Sequence, residues 1–259
     1  MNNHPYHMVE KSPWPITGSI GVMSLASSMI MWFSQKKTNM MMIGSTIIIL
    51  TMIQWWRDTV REATFQGLHT KKVEKSMKMG MILFIISEIM FFLSFFWAFF
   101  HSSLSPNMEI GMMWPPMGIK TFNPMNIPML NTMILLSSGM SMTWAHNAMI
   151  YKNLSQMKQS LLITILLGLY FSILQAYEYK ESTFCMSDSI YGSTFFLSTG
   201  FHGIHVIIGT IFIMVSTMRV NMLHFSSLHH VGFEASAWYW HFVDVIWLFL
   251  YISIYWWGS

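Results

Sequence analysis

The run MGMILFIISEIMFFLSFFWAFFHSSL, residues 79–104, decides the fold class because a single charged residue, Glu88, interrupts its apolar side chains. About 20 apolar residues in a helix cross the roughly 30 Å hydrocarbon core of a bilayer. Membrane β-strands would instead alternate apolar and polar residues, and this run does not. The sequence therefore predicts a transmembrane α-helix here.

Six further apolar runs surround this one, and together they predict an all-α membrane protein with seven transmembrane helices. No internal repeat, linker or second soluble domain is evident between them. We expect one transmembrane domain over residues 1–259. Its spans are predicted at about 15–33, 40–65, 73–104, 129–151, 158–178, 190–219 and 233–257.

The composition excludes several classes of protein. Of the 259 residues, 53% are hydrophobic and 10% are charged, whereas roughly a quarter of the residues in a soluble domain are charged. The 14 basic and 11 acidic residues exclude a soluble enzyme, a disordered regulator and a nucleic-acid-binding protein. The single cysteine, Cys185, excludes a disulfide scaffold and a four-thiolate metal site.

Residue usage also bears on the origin and orientation of the chain. The 28 methionines and 20 phenylalanines indicate A/T-rich codons, and so an organelle-encoded protein. Basic residues concentrate on the side that the N-terminus occupies, most of all between Arg57 and Lys78. By the positive-inside rule, that side faces the matrix or the cytoplasm. Seven spans then put the C-terminus on the opposite side.

Polar groups within the spans are the first candidates for function, because an intramembrane carboxylate is costly to bury. Glu88 and His205 lie about 15 Å and 21 Å along their helices from basic residues on the same side, so the two could meet. Asp244 lies at a similar depth, with His241 one turn earlier. The four form either a proton-exchanging or gating cluster, or hydrogen-bonded contacts that fix helix packing.

The histidines show no recognisable metal-binding signature. His202 and His205 share a helix face, and His229 and His230 are adjacent in a loop. No span contains the H-E-x-x-H pattern, and thiolates are too few for a metal site. We therefore predict no metal site, while paired histidines on facing helices leave haem binding open.

A basic and aromatic segment, QWWRDTVREATFQGLH at residues 54–69, predicts a helix end at the membrane surface. Arg57 and Arg61 are four residues apart and share a face beside Trp56. Two guanidiniums next to an indole suit the phosphate headgroups of lipids. The alternative is that Asp58 pairs with Arg61 and Arg57 pairs with Glu62, which makes a solvated helix end.

Ten motifs in a fixed order connect the chain to a known family. They are YHMV (6–9), SPWP (12–15), WWRD (55–58), FQG (65–67), FWAFFHSS (96–103), WPP (114–116), YGSTFF (191–196), GFHGIHV (200–206), HHVGFEA (229–235) and WYWHFVDVIWLFLY (238–251). On these motifs the chain resembles cytochrome c oxidase subunit 3 of the mitochondrial type over nearly its whole length.

The resemblance implies a subunit of the terminal respiratory oxidase, which reduces oxygen with electrons from cytochrome c and pumps protons. It implies a bundle in which two helices splay from the other five, with phospholipid held in the cleft. It also implies no catalytic residue, metal or redox cofactor in this chain, because haem and copper belong to partner subunits. The expected partners are the catalytic subunit 1, other oxidase subunits and phospholipids. The expected location is the mitochondrial inner membrane, with the N-terminus in the matrix and the C-terminus in the intermembrane space.

The resemblance also assigns residues. The family's membrane carboxylate, which reacts with carbodiimide, falls on Glu88. Two positions depart from the family, since Met222 stands where relatives often have a lysine and Leu68 where a histidine is common. The departure at Met222 removes a basic side chain from the expected lipid contacts. The family's lipid-contacting positions fall on Trp56, Arg61, Glu62, Thr64, Phe65, His69 and Arg219.

Two other classes of function stay open on the residues alone. A free-standing proton channel or transporter would be built on Glu88, His205 and Asp244. Transporters usually show inverted repeats and helices broken by glycine or proline, and neither pattern is evident in this sequence. A haem-carrying membrane oxidoreductase would use paired histidines.

Overall fold

The computed structural model describes residues 5–259, and within them it contains seven long α-helices and no strand. The prediction of an all-α, seven-helix protein is confirmed. A π-helical turn, Tyr251–Trp257, continues α7. The helices are α1 (Trp14–Gln35), α2 (Asn39–Thr64), α3 (Lys71–Leu104), α4 (Ile127–Ile150), α5 (Leu154–Glu181), α6 (Ile190–Asn221) and α7 (Val231–Leu250).

Six of these seven helices are long and apolar enough to cross a membrane, the exception being α4. Among its 24 residues, α4 carries several small polar side chains that are buried, including Thr132, Ser138 and Ser141. Small residues let helices approach closely in lipid, and their hydroxyls bond neighbouring helices. Accordingly, Ser138 and Thr132 each accept a hydrogen bond of 3.0 Å from a tryptophan indole of α7.

Capping side chains set the start of two helices. The side chain of Asn153 accepts a hydrogen bond from the backbone N–H of Gln156, so α5 begins at Leu154. Ser189 caps α6 in the same way. Both are residue types favoured at this position, because their oxygens satisfy N–H groups that have no partner within the helix. Because α5 begins at Leu154, Lys158 lies within the helix, and its side chain is exposed.

The chain divides into two compact units, Met1–Met77 and Lys78–Ser259. In the first unit, α1 and α2 pack against each other at glycines. A side chain at Gly44 would begin 2.8 Å from the backbone nitrogen of Leu25, so only glycine allows this approach. The prediction of a single transmembrane domain over residues 1–259 stays a prediction.

Aromatic rings fill the core of the second unit. Within this unit, α3 packs through rings rather than through close backbone approach. Phe92 is fully buried against Phe242 of α7, and Phe95 stacks on Phe201 of α6 with ring centroids 5.4 Å apart. These contacts hold the middle of α3 beside α6 and α7, and so they position Glu88.

Candidate functional site

A contact between α3 and α6 joins the two intramembrane groups whose depths matched in the sequence. Glu88 Oε2 lies 3.0 Å from His205 Nε2. The other ring nitrogen of His205, Nδ1, is 2.6 Å from the carbonyl oxygen of Phe201, which can only accept. Nδ1 therefore carries a proton. The 3.0 Å contact then requires a further proton, shared between Nε2 and the carboxyl group.

Aromatic rings surround this Glu88–His205 pair. The ring centroid of His205 lies 5.0 Å from that of Phe92, 6.2 Å from that of Phe242 and 6.3 Å from that of Tyr239. The side chains of His205 and Glu88 are 10% and 22% exposed. A hydrogen bond in such apolar surroundings is electrostatically stronger than in water. The pair can therefore hold a proton at a defined place within the bundle.

The other two predicted polar residues form a separate pair. His241 Nδ1 lies 3.8 Å from Asp244 Oδ2, and the two side chains are 40% and 9% exposed. Asp244 lies against α4, where a side chain at Gly139 would begin 2.7 Å from Oδ2. Asp244 and Phe242 are two residues apart on α7 and so face different directions. The structure thus distributes the four predicted residues over two pairs instead of one cluster.

The predicted lipid-contacting residues of the first unit lie at the C-terminal end of α2 and just after it. Trp56 and Phe65 are exposed. Arg61 is exposed as well, and it makes no ion pair within residues 5–259. Thr64 donates its hydroxyl hydrogen to the carbonyl oxygen of Val60 at 2.8 Å. An unpaired guanidinium with exposed aromatic neighbours is a surface suited to anionic headgroups.

The acidic residues of this segment pair differently from the alternative that the sequence left open. Asp58 accepts hydrogen bonds from the indole of Trp14 at 2.7 Å and from Arg57 at 2.9 Å, not from Arg61. Glu62 pairs with His7, at 3.1 Å between Oε2 and Nε2, not with Arg57.

His69 completes this region of the first unit. Its ring lies edge-on to that of His7, with centroids 5.9 Å apart. His7 thus contacts both Glu62 and His69, two of the predicted lipid-contacting residues, and links them to the segment before α1. These two side chains are held in place by protein contacts, in contrast to Arg61.

Arg219 lies in the last turn of α6, within the second unit. Its guanidinium sits over the ring of Phe225, 4.3 Å from the centroid. It also lies beside the first turn of α7, because a side chain at Gly232 would begin 2.5 Å from Nη1. Among the described residues, its buried Nε has no hydrogen-bond partner. The positive end of α7 and this guanidinium together favour an anion.

Sequence reasoning missed a set of three possible metal ligands. His146 of α4, His230 and Glu234 each offer a ligand atom, and these atoms lie within 4.8 Å of one another. The spacing of His230 and Glu234, four residues apart in HHVGFEA, was a usable signal. His146 was not, because its approach to them depends on how α4 packs on α7.

Sequence reasoning also missed a buried carboxylate in α5. Glu178 is 1% exposed, although it lies in the charged stretch YEYKE, residues 177–181, near the end of α5. Tyr255 faces both Glu178 and Gln175. None of the polar side-chain atoms of these three residues has a well-formed hydrogen bond within the described part of the chain.

Comparisons with known proteins agree with one another along the whole chain. The family model described as cytochrome c oxidase subunit III matches residues 4–259. The chain is 64% identical over 258 residues to cytochrome c oxidase subunit 3 of Locusta migratoria, which covers 100% of this chain and 98% of the relative.

Two further relatives give the same result. The chain is 62% identical over 258 residues to cytochrome c oxidase subunit 3 of Drosophila melanogaster, and 59% identical over 256 residues to that of Gazella leptoceros. These matches cover 100% and 99% of this chain, and 98% of each relative. The chain therefore belongs to the cytochrome c oxidase subunit III family.

Proposed function

We propose that this chain is a non-redox subunit of cytochrome c oxidase that binds phospholipid and supports proton uptake by the catalytic subunit 1. As a member of the subunit III family, it is a multi-pass membrane protein and a subunit of an oxidoreductase complex. Its place is the mitochondrial inner membrane, with the N-terminus in the matrix and the C-terminus in the intermembrane space. Haem and copper belong to partner subunits.

The Glu88–His205 contact is the observation that carries the proposed proton role. It joins two titratable groups at 3.0 Å among aromatic rings, where charge is costly and a shared proton is favoured. The Glu88 side chain is 22% exposed in this chain, so part of its carboxyl group faces outward, where a partner subunit can contact it. A proton held here serves uptake by a neighbouring subunit without any redox chemistry in this chain.

Glu88→Gln in the assembled oxidase tests the proton role. The amide can still donate a hydrogen bond to His205, but it cannot release a proton. We expect assembly and basal oxygen reduction to stay largely intact. As the pH rises and protons become scarce, the turnover of the variant should fall more steeply than that of the wild type. A pH profile of oxygen consumption measures this.

Glu178→Gln, at the buried carboxylate of α5, is the matched control and should follow the wild-type profile. Loss of the assembled complex in Glu88→Gln would show that Glu88 is structural. A pH profile identical to that of the wild type would contradict the proton role.

Two unpaired guanidiniums support the proposed phospholipid binding. Arg61 makes no ion pair among the described residues, and the buried Nε of Arg219 has no hydrogen-bond partner there. A buried donor without a partner is costly, and a phosphate oxygen would satisfy it. Exposed Trp56 and Phe65 supply the apolar contacts that lipid requires beside Arg61.

The double substitution of Arg61 and Arg219 by alanine tests the lipid role. We expect less phospholipid to remain with the purified oxidase, as counted by mass spectrometry. Lys37→Ala removes an exposed basic charge at the far end of α1 and should leave the lipid content unchanged. Equal lipid content in the double variant and the wild type would contradict the assignment.

The competing channel function receives less support. A single proton path would have to pass Glu88, His205 and Asp244, yet Asp244 faces α4 while His205 faces Phe92, Tyr239 and Phe242. If the isolated chain conducts protons without the oxidase core subunits, the channel function is correct and the subunit function is wrong.

A further inference from the structure

Three side chains with metal-binding atoms converge where α4 ends and α7 begins. His146 lies in the last two turns of α4, His230 immediately precedes α7, and Glu234 lies in its first turn. One ligand atom from each lies within 4.8 Å of the other two. Neither the Glu88–His205 pair nor the lipid-contacting residues include any of the three.

The separations fit a small tetrahedral ion. Zinc binds histidine nitrogen and carboxylate oxygen at about 2.0–2.2 Å, which puts neighbouring ligand atoms of a tetrahedron about 3.4 Å apart. His230 Nε2 and Glu234 Oε1 are already 3.5 Å apart. The ring nitrogen of His146 lies within 4.8 Å of the other two ligand atoms, so a movement of at most about 1.4 Å would bring it to the same spacing.

Contacts around the three side chains orient them as metal ligands are usually oriented. Nδ1–H of His230 donates to the carbonyl oxygen of Ser226 at 2.9 Å, which leaves the lone pair of Nε2 directed at Glu234. Lys78 Nζ lies 2.7 Å from the second oxygen of Glu234, Oε2. Oε1 therefore stays available for a metal.

The ring of His146 is held by packing. It stacks on Phe233 with centroids 5.9 Å apart, and its centroid lies 5.7 Å from that of His230. The ion pair between Lys78 and Glu234 explains the place of Glu234 without any metal, but it gives His146 no role. His146 is therefore the residue that distinguishes a metal site from a simple ion pair.

We propose that His146, His230 and Glu234 form a binding site for a divalent transition metal of the zinc type. Two imidazoles and one carboxylate are a ligand set that zinc accepts, with water in the fourth position. The sequence predicted no metal site because the ligands come from two helices and lack the H-E-x-x-H pattern. A bound ion would join the end of α4 to the start of α7.

The test uses the intact purified oxidase, stripped with a chelator and then dialysed against Zn²⁺ alone. His146→Asn removes one ligand and leaves the Lys78–Glu234 pair in place. We expect this variant to retain one zinc ion fewer per complex than the wild type, as counted by elemental analysis. Loss of a ligand should weaken binding at the site by at least about tenfold.

His101→Asn is the matched control, because His101 is an exposed histidine at the opposite end of α3. It should retain the wild-type zinc content. Equal zinc content in His146→Asn and the wild type would overturn the proposal.

A second measurement does not depend on assembly of the variant. Zinc-soaked wild-type oxidase should show zinc density, identified by anomalous scattering, bounded by His146, His230 and Glu234. The absence of zinc density at these residues after soaking would overturn the proposal. Density confined to Glu234 and surface carboxylates would also overturn it, because that pattern indicates non-specific binding.

Discussion

Two of the histidine–carboxylate pairs in the second unit, Glu88–His205 and His241–Asp244, are built in opposite ways. Glu88 and His205 come from different helices, 117 residues apart in sequence, yet their nearest atoms are 3.0 Å apart. His241 and Asp244 are three residues apart on α7, and their nearest atoms are 3.8 Å apart. Helix periodicity alone brings the second pair together, whereas the first pair depends on the packing of α3 against α6.

The difference in origin explains the difference in surroundings. Packing that brings α3 and α6 together also encloses His205 in aromatic rings, so both members of the Glu88–His205 pair are largely shielded. In the local pair His241 is 40% exposed, and no neighbouring helix is needed to hold it beside Asp244. Substitutions among the aromatic rings around Phe92 should therefore affect the first pair and spare the second.

Phe92→Ala should have the largest effect. Phe92 is 1% exposed and packs on both His205 and Phe242, so its removal leaves a cavity beside the Glu88–His205 pair. Large-to-small changes of buried phenylalanine cost about 3–5 kcal/mol. Heat denaturation of the assembled oxidase should show the loss, while the exposed Phe249→Ala should cost about 0.5 kcal/mol. Equal losses in the two variants would show that the ring packing does not support the pair.

His205→Ala should have the next largest effect. It leaves the carboxyl group of Glu88 without its partner in apolar surroundings, which costs about 1–3 kcal/mol. His241→Ala removes a partner of Asp244 that lies 3.8 Å away, too far for a well-formed hydrogen bond, and should cost less, about 0.5 kcal/mol. Thermal midpoints of the two variants measure the contrast. If the two midpoints fall equally, the Glu88–His205 contact stabilises the protein no more than the His241–Asp244 contact does.

Gly139→Ala should have a smaller effect, and it acts on the local pair. The added methyl group begins 2.7 Å from Asp244 Oδ2, so the carboxylate must turn away, at a cost of about 1 kcal/mol. The double variant Gly139→Ala with Asp244→Ala should recover much of this loss in a double-mutant cycle. Strictly additive effects on the thermal midpoint would mean that the methyl group meets something other than Asp244.

Asp244→Asn should have the smallest effect, below about 0.5 kcal/mol. The amide has nearly the volume of the carboxylate, and the contact that it weakens, with His241, is already 3.8 Å long. Both thermal stability and oxygen consumption should stay close to wild type. A drop in oxygen consumption comparable to that of Glu88→Gln at alkaline pH would give Asp244 a functional role that its contacts do not suggest.

Depth along a helix was predictable from the sequence, whereas direction around the helix was not. A rise of 1.5 Å per residue placed Glu88, His205 and Asp244 at similar depths. The contact between Glu88 and His205 agrees with that arithmetic. Asp244 shares the depth but faces Gly139 of α4, and only the rotation of α7 in the bundle decides this.

Charged residues near helix ends were the least predictable part of the site. A charge close to the membrane surface usually marks a solvated helix end, so Glu178 and Glu234 attracted no notice in the sequence. Packing buries Glu178 between helices and brings Glu234 to His230 and Lys78. Helix α5 begins at Leu154, four residues before the predicted start at residue 158. The side chain of Asn153 satisfies a backbone N–H of the first turn, so the helix can begin outside the apolar run.

The glycine contact between α1 and α2 has a consequence for biogenesis. Its parts, Gly21 with Ile48 and Gly44 with Leu25, all come from the first two helices, which a three-residue connection joins. Helices that insert individually associate afterwards by close packing of small residues. The α1–α2 hairpin therefore needs no later segment to complete its interface, and it can assemble while the ribosome is still translating α3.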